Sequence, residues 1–273
     1  MNYRHSFHAG NFADLVKHAL VLWLLKERRA AGPVTAIDTH AGGGLYDLSG
    51  DAVRSKEAEA GVARLMAAEG RPPLIEALAK EVAAVNPDGG GRFYPGSPVL
   101  TARGLGPGDR YVGFEMNPPV RDLLEEALAA WPNAEARGGD GYEAALALAK
   151  TVTAPFVLID PPFERPDDYQ RAADTAAAVM RADRKAIVAI WTPLKDMETF
   201  DGFMRRIEQA KVGGALAAEA RLRPLTNPMK MNGCAMVMLN PPPGAEAAAL
   251  EICNWVASTL GDPGAKAEVW SIP

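Results

Sequence analysis

The chain has 273 residues and a mass of 29.0 kDa, which suits one large α/β domain and is long enough to bury a substantial core. Hydrophobic residues make up 48% of it and charged residues 23%, a composition that excludes a largely disordered protein. The formal net charge of −5 argues against a protein that coats nucleic acid through its overall field. No stretch approaches the roughly 18 apolar residues of a membrane span, so we expect a cytoplasmic protein.

Alternating strand and helix signals predict a doubly wound, seven-stranded, mostly parallel sheet covered on both faces. Predicted helices lie at 11–29, around 123–128, and at 142–150, 169–180, 197–211 and 246–260. Predicted strands lie at 34–38, 111–115, 134–137, 155–159, 186–191, 216–222 and 234–239, the last two forming an antiparallel pair. We expect a single domain over residues 1–273.

One interval interrupts this alternation. Residues 51–92 contain no strand signal, only two helical stretches at 57–69 and 74–85 separated by turns rich in proline and glycine. We predict a small helical insertion after the first strand. Since ligands of open α/β sheets bind at the carboxyl ends of the strands, the insertion could cap a binding crevice or could be a surface decoration.

The first 30 residues carry a local excess of basic residues, and all four histidines fall within the first 40. Such a patch can bind a few phosphates, although an ordinary solvated surface explains it as well. His5 and His8 have no carboxylate or cysteine neighbours at a metal-binding spacing, so no metal is predicted. Cys234 and Cys253 sit in apolar surroundings and are predicted to be buried free thiols.

Acidic residues follow three of the predicted strands. Asp38 leads into a run of glycines at 42–44 that would let a ligand approach the backbone, Glu115 could receive ribose hydroxyls, and Asp140, next to Gly141, could accept from an adenine amino group. Each acid could equally be a helix cap, but the series would converge on one crevice.

Asp160, Pro161, Pro162 and Phe163 follow the apolar strand at 155–159 and fit the methylation of an exocyclic amino nitrogen. The Asp160 carboxylate can accept one N–H and take the proton, while a carbonyl held by the stiff prolines accepts the other. Phe163 offers a flat face for a base turned out of its stack. A proline-rich turn that ends a buried strand, with Phe163 filling the core, explains the same residues when they are taken alone.

The order of these features resembles class I S-adenosylmethionine-dependent methyltransferases, which have a Rossmann-like fold. Further motifs, YRHSFHAGN at 3–11, AD at 13–14, KH at 17–18, DTHAG at 38–42 and YPGSP at 94–98, resemble those of the bacterial 23S rRNA adenine-N6 methyltransferases of the RlmJ type. The resemblance extends to the closing WSIP and so covers nearly the whole chain.

The resemblance implies N6-methylation of a specific adenine in 23S rRNA, protein-free or in early assembly, by a monomer that uses S-adenosylmethionine and no metal. The implied cofactor contacts are His18, His40, Ser97, Glu115, Asp140, Gly141 and Asp160. Asp160 would also be the catalytic acceptor, and Tyr3, Pro161 and Phe163 would contact the substrate.

Two residues depart from the family pattern. Phe163 replaces a tyrosine, which removes a hydroxyl, and Phe12 stands where a histidine is common. The alternatives are an rRNA guanine-N2 methyltransferase, a DNA adenine-N6 methyltransferase, and a non-catalytic RNA-binding protein on the same scaffold.

Overall fold

The computed structural model describes residues 8–49, 56–225 and 231–273. The strands are β1 (Thr35–Asp38), β2 (Leu45–Asp47), β3 (Phe93–Pro95), β4 (Arg110–Phe114), β5 (Ala134–Arg137), β6 (Phe156–Ile159), β7 (Ile187–Leu194), β8 (Ala215–Arg221), β9 (Gly233–Leu239) and β10 (Lys266–Ile272). The helices are α1 (Phe12–Ala30), α2 (a π-helical turn, Glu59–Ala63, that continues as Arg64–Ala67), α3 (Pro73–Ala84), α4 (Ser97–Gly104), α5 (Pro118–Leu128), α6 (Gly141–Ala149), α7 (Asp168–Ala182), α8 (Met197–Gln209) and α9 (Ala245–Leu260).

The main sheet has the strand order β10-β8-β9-β7-β6-β1-β4-β5. The strands from β7 to β5 are parallel, whereas the β7–β9, β9–β8 and β8–β10 pairs are antiparallel. The doubly wound, mostly parallel sheet is therefore confirmed, but in the described part of the chain it has eight strands and not the seven predicted. The additional strand, β10, is a half-exposed edge strand that begins at Lys266, and it lacks the buried apolar run that marks the central strands.

Both faces of the sheet are covered because its central strands carry apolar side chains on each face. In β6, alternate residues belong to two separate core clusters. One cluster includes Leu20 of α1 and Ile252 of α9, and the other includes Val179 of α7 and Phe203 of α8. None of the described helices is both long enough and apolar enough to cross a bilayer.

Helix α1 begins where the sequence predicts, because the Asn11 side chain caps it by accepting from the backbone N–H groups of Ala13 and Asp14. Its first half is buried against the sheet. Asp14, Lys17 and His18, in its first two turns, line the crevice at the strand ends.

The segment between β1 and β4 packs on the start of α1. Val62 of α2 donates its backbone N–H to the carbonyl oxygen of Gly10 at 2.8 Å, and a Cβ at Gly61 would collide with that same oxygen. A short antiparallel pair, β2 with β3, brackets the segment; the sequence did not predict it because each strand has only three residues. The division into one domain with an insertion at 51–92 stays a prediction.

Candidate active site

A cavity of about 1610 Å³ opens at the carboxyl ends of β1, β4, β6 and β7. It exceeds the roughly 300–1,000 Å³ typical of a site for one small ligand, so it can hold a cofactor and a nucleotide together. Its lining includes every described residue that the sequence assigned to a site: His18, His40, Ser97, Glu115, Asp140, Gly141, Asp160, Pro161 and Phe163. Tyr3 lies outside the described residues.

Asp160 is held by a buried cation. The ammonium of Lys17 lies 2.7 Å from Oδ2 of Asp160 and 2.8 Å from Oδ1 of Asp14, and the three side chains are only 5%, 13% and 4% exposed. Burial alone would lower the pKa of Lys17, but the two carboxylates outweigh it and raise that pKa well above its usual value. Lys17 therefore stays protonated and fixes the direction of the Asp160 carboxylate.

The glycine turn after β1 brings backbone close to the cavity. Gly42 has a φ of +64°, and a Cβ there would collide with the Tyr46 hydroxyl. The Gly42 N–H donates to Oε2 of Glu115 at 3.2 Å, and the Gly43 N–H donates to the Tyr46 hydroxyl at 3.1 Å. The turn thus presents its backbone and the Glu115 carboxylate to the cavity.

Asp38 orders this turn from below and was not predicted as a site residue. Its Oδ2 accepts from Ser97 Oγ at 2.7 Å and from the Tyr111 hydroxyl at 3.3 Å, and its Oδ1 accepts from the backbone N–H of His40 at 3.2 Å. Burial raises the pKa of Asp38 to about 6. The Ser97 hydroxyl is consequently engaged with Asp38 on the cavity wall.

His40 and Asp140 lie on the opposite side of the turn. Burial lowers the pKa of His40 to about 4, so its ring is neutral near pH 7; its Nδ1 lies 2.7 Å from Thr39 Oγ1. Asp140 caps α6 by accepting from the Tyr142 N–H at 3.1 Å and also binds Arg171 at 2.7 Å. Although burial opposes it, the Arg171 hydrogen bond lowers the pKa of Asp140. A ligand amino group would therefore share this carboxylate with Arg171.

An aromatic wall, formed by Phe163, Tyr169 and Trp191, stands beside Asp160. The Phe163 ring lies 4.5 Å from that of Tyr169 and 5.9 Å from that of Trp191, between centroids. Phe163 has a φ of +52°, which non-glycine residues seldom adopt. Because β7 and β4 lie on opposite sides of the β6–β1 pair, this wall and Glu115 face each other across the cavity.

His8, Asn11 and His18 also line the cavity. His18 is almost wholly buried, with its Nδ1 2.7 Å from the Tyr94 hydroxyl. Nearer the surface, Oε2 of Glu57 lies 2.9 Å from Nδ1 of His8 and accepts a hydrogen bond from the Asn11 side-chain amide, also at 2.9 Å. The hydrogen bond that the His8 ring makes to the Glu57 carboxylate raises the pKa of His8. Glu57 thereby ties the predicted insertion to the first turn of α1.

The remaining titratable groups suggest no further centre. Within residues 8–49, 56–225 and 231–273, no group of three His, Cys, Asp or Glu side chains is arranged to hold a metal ion. Cys234 and Cys253 are free and buried, as predicted.

Sequence reasoning missed Lys17 as the partner of Asp160, as well as Tyr169 and Trp191. An acid and a lysine three residues apart on the buried side of α1 were a usable signal, because charged groups are seldom buried without partners. No local pattern indicated the two aromatic residues.

A family model described as "Ribosomal RNA large subunit methyltransferase D, RlmJ" matches residues 31–272. The ribosomal RNA large subunit methyltransferase J of Escherichia coli K12 is 31% identical over 97% of this chain and 95% of its own length, and that of Haemophilus influenzae is 29% identical over the same shares. Among solved structures, protein LPL1258 from Legionella pneumophila superposes with a TM-score of 0.87 at 22% identity, covering 97% of this chain and 98% of its own. That superposition supports the fold alone.

Proposed function

Because this chain belongs to the ribosomal RNA large subunit methyltransferase family RlmJ, and is thereby an rRNA methyltransferase, we propose that it methylates the exocyclic N6 of a specific adenine in 23S rRNA. Its methyl donor is S-adenosylmethionine. The observation that carries the proposal is the Lys17–Asp160 pair, placed between the glycine turn and the aromatic wall.

The residues of the glycine turn suit this cofactor. Gly42 permits the positive φ of this turn next to the Tyr46 hydroxyl, and the carboxylate of Glu115 stands beside it to receive ribose hydroxyls. We assign His18, His40, Ser97, Asp140 and Gly141 to the same part of the site. S-adenosylmethionine supplies an electrophilic methyl group there and is left as S-adenosylhomocysteine.

Asp160 is the proposed acceptor for the adenine amino group. Its Oδ2 is occupied by Lys17, while within the described part of the chain its Oδ1 accepts no hydrogen bond. Oδ1 is therefore the oxygen that would accept one N–H of the amino group and take its proton on transfer. The carbonyl of Pro161 would accept the second N–H. The task is one of positioning and charge placement, which the rigid Lys17 contact serves.

Phe163 provides the proposed stacking surface for the target base. The base must leave its helix to reach Asp160, and stacking on an aromatic ring offsets part of that cost, with about 1–3 kcal/mol per base. Contacts with Tyr169 and Trp191 hold the Phe163 ring in place. Since a base in the cavity has to be unpaired, we propose protein-free or early-assembly rRNA, bound by a monomer, as the substrate form.

The base assignment is tested with unmodified 23S rRNA and labelled S-adenosylmethionine, followed by mass-spectrometric mapping of the label. We expect N6-methyladenine at one nucleotide. A label on guanine N2, or equal methylation of DNA, would replace this function by one of its rivals.

The role of Asp160 is tested separately with Asp160→Ala. We expect this variant to bind S-adenosylmethionine in calorimetric titration while its turnover falls by at least about a hundredfold, the range for loss of a general base. Near-parental turnover would exclude Asp160 as the acceptor. Failure of the parent protein to bind the cofactor would instead favour the non-catalytic RNA-binding protein.

A further inference from the structure

The charges that line the cavity are mostly negative. The carboxylates of Glu57, Glu115, Asp140, Asp160 and other residues outnumber the lysine and arginine side chains on its wall. An RNA strand carries a negative charge at every phosphate, so this wall repels the substrate that the proposed function assigns to it. Some cation near the aromatic wall has to offset that repulsion.

Most cations of the cavity are already paired. Lys17, Arg171 and Arg165 each form ion pairs with carboxylates, at 2.7, 2.7 and 3.2 Å respectively. Lys195 differs, because its ammonium forms no ion pair with any residue in the described ranges. The carboxylate of its neighbour Asp196 forms no ion pair with it and instead caps α8 by accepting from the backbone N–H of Thr199 at 2.8 Å.

The backbone of Lys195 is fixed, while its side chain is exposed. Lys195 follows the last residue of β7, and the buried side chain of Asn232 donates to its carbonyl oxygen at 3.2 Å. The backbone N–H of Asn232 also donates to the carbonyl oxygen of Leu194 at 3.0 Å. A flexible four-carbon stem on a rigid base lets the ammonium reach a phosphate without strain in the backbone.

Lys195 stands on the substrate side of the cavity. It lies at the end of β7, the strand that carries Trp191 of the aromatic wall, and Glu115 lies two strands beyond β6 in the other direction. The acids on that other side would repel a phosphate, so the strand is expected to cross the β7 side.

We propose that Lys195 binds a backbone phosphate next to the target nucleotide and thereby holds the RNA strand while the base enters the cavity. Phosphate contacts of this kind position a nucleic acid without reading its sequence. The proposal rests on the proposed function, and it predicts a contact to RNA and none to the cofactor.

The test compares Lys195→Ala, Lys195→Gln and Lys195→Arg, with Lys185→Ala as the matched control. Lys185 is also an exposed lysine, but it lies at the opposite, amino end of β7. The kcat/KM for methylation of unmodified 23S rRNA is measured over a series of KCl concentrations. The slope of log(kcat/KM) against log[KCl] is negative, and loss of one phosphate contact makes it shallower by about 0.7–0.9.

We expect the shallower slope in Lys195→Ala and Lys195→Gln, recovery in Lys195→Arg, and the parental slope in Lys185→Ala. The kcat at saturating RNA and the affinity for S-adenosylmethionine should stay at parental values. Parental slopes in both Lys195→Ala and Lys195→Gln, or a loss of cofactor affinity, would overturn the proposal. These outcomes leave the proposed function intact, which fails only if the parent protein does not methylate adenine in this rRNA.

Discussion

Replacing Lys17 with methionine removes the cation that joins α1 to the loop after β6. Methionine fills a similar volume, so the change chiefly leaves Asp14 and Asp160 as buried carboxylates without their shared partner. Loss of one member of a buried ion pair costs about 3–5 kcal/mol, and the 13% exposure of Asp160 places this case near the lower value. For a chain of this size a loss of about 3 kcal/mol lowers the melting temperature by roughly 6–12 °C.

The loss in the free energy of unfolding is measured by urea and thermal unfolding. Lys26→Met is the control, because Lys26 is an exposed lysine on the same helix. The raised pKa of Lys17 means that its stabilising contribution is fully present below its unfolded pKa of about 10.5 and is lost only as the pH rises through the higher folded value. The deficit of Lys17→Met should therefore be the same at pH 7 and pH 9.

A second substitution separates the effect of the lost charge in Lys17→Met from the effect of altered packing. Adding Asp160→Asn to Lys17→Met removes one of the stranded carboxylates, so the double variant should recover about 1–2 kcal/mol of the loss. Asp160→Asn alone leaves Lys17 paired with Asp14. Strict additivity of the two changes, or a Lys17→Met deficit below about 1 kcal/mol, would refute the view that a buried charge triad holds this site.

Three further predictions concern the cavity walls. Burial raises the pKa of Asp38 to about 6, so the parent loses stability as the pH rises from about 4 to 6; Asp38→Asn should gain about 2–3 kcal/mol relative to the parent between pH 4 and pH 7 in urea unfolding. A pH-independent difference would contradict this. Gly141→Ala would press a Cβ against the Thr39 carbonyl oxygen, so we expect a loss of about 1–3 kcal/mol and weaker cofactor binding by calorimetry, whereas unchanged values would show that α6 can shift freely. The raised pKa of His8 makes its pair with Glu57 most stabilising below about pH 6.5, so Glu57→Gln should lower the melting temperature more at pH 6 than at pH 8.5, and the opposite order would exclude a protonated His8.

The predictable part of the fold is the part in which local pattern and tertiary environment agree. The strand at 134–137 has the predicted bounds, and the helix predicted at 11–29 is α1, which Asn11 caps. β10 and the β2–β3 pair escaped because edge and three-residue strands depend on a distant partner for their stability. Chain-local periodicity carries no information about such partners.

The candidate site also has a part that the sequence predicts and a part that it does not. The acids after consecutive parallel strands share a cavity because the carboxyl ends of those strands meet at one edge, a consequence of topology that can be read from the order of elements. Lys17 and Asp160 are separated by 143 residues, and only the packing of α1 on the sheet, against β7 and β9, brings them to 2.7 Å. Trp191 likewise reaches Phe163 only because β7 lies next to β6.

The first turns of α1 and the turn before them are held by two sets of contacts. Lys17 binds Asp160 inside the cavity, whereas Glu57 and Val62 bind Asn11 and Gly10 nearer the surface. Since none of these contacts involves the glycine turn or Glu115, a substitution at Glu57 or Val62 should alter the substrate side of the cavity more than the cofactor side.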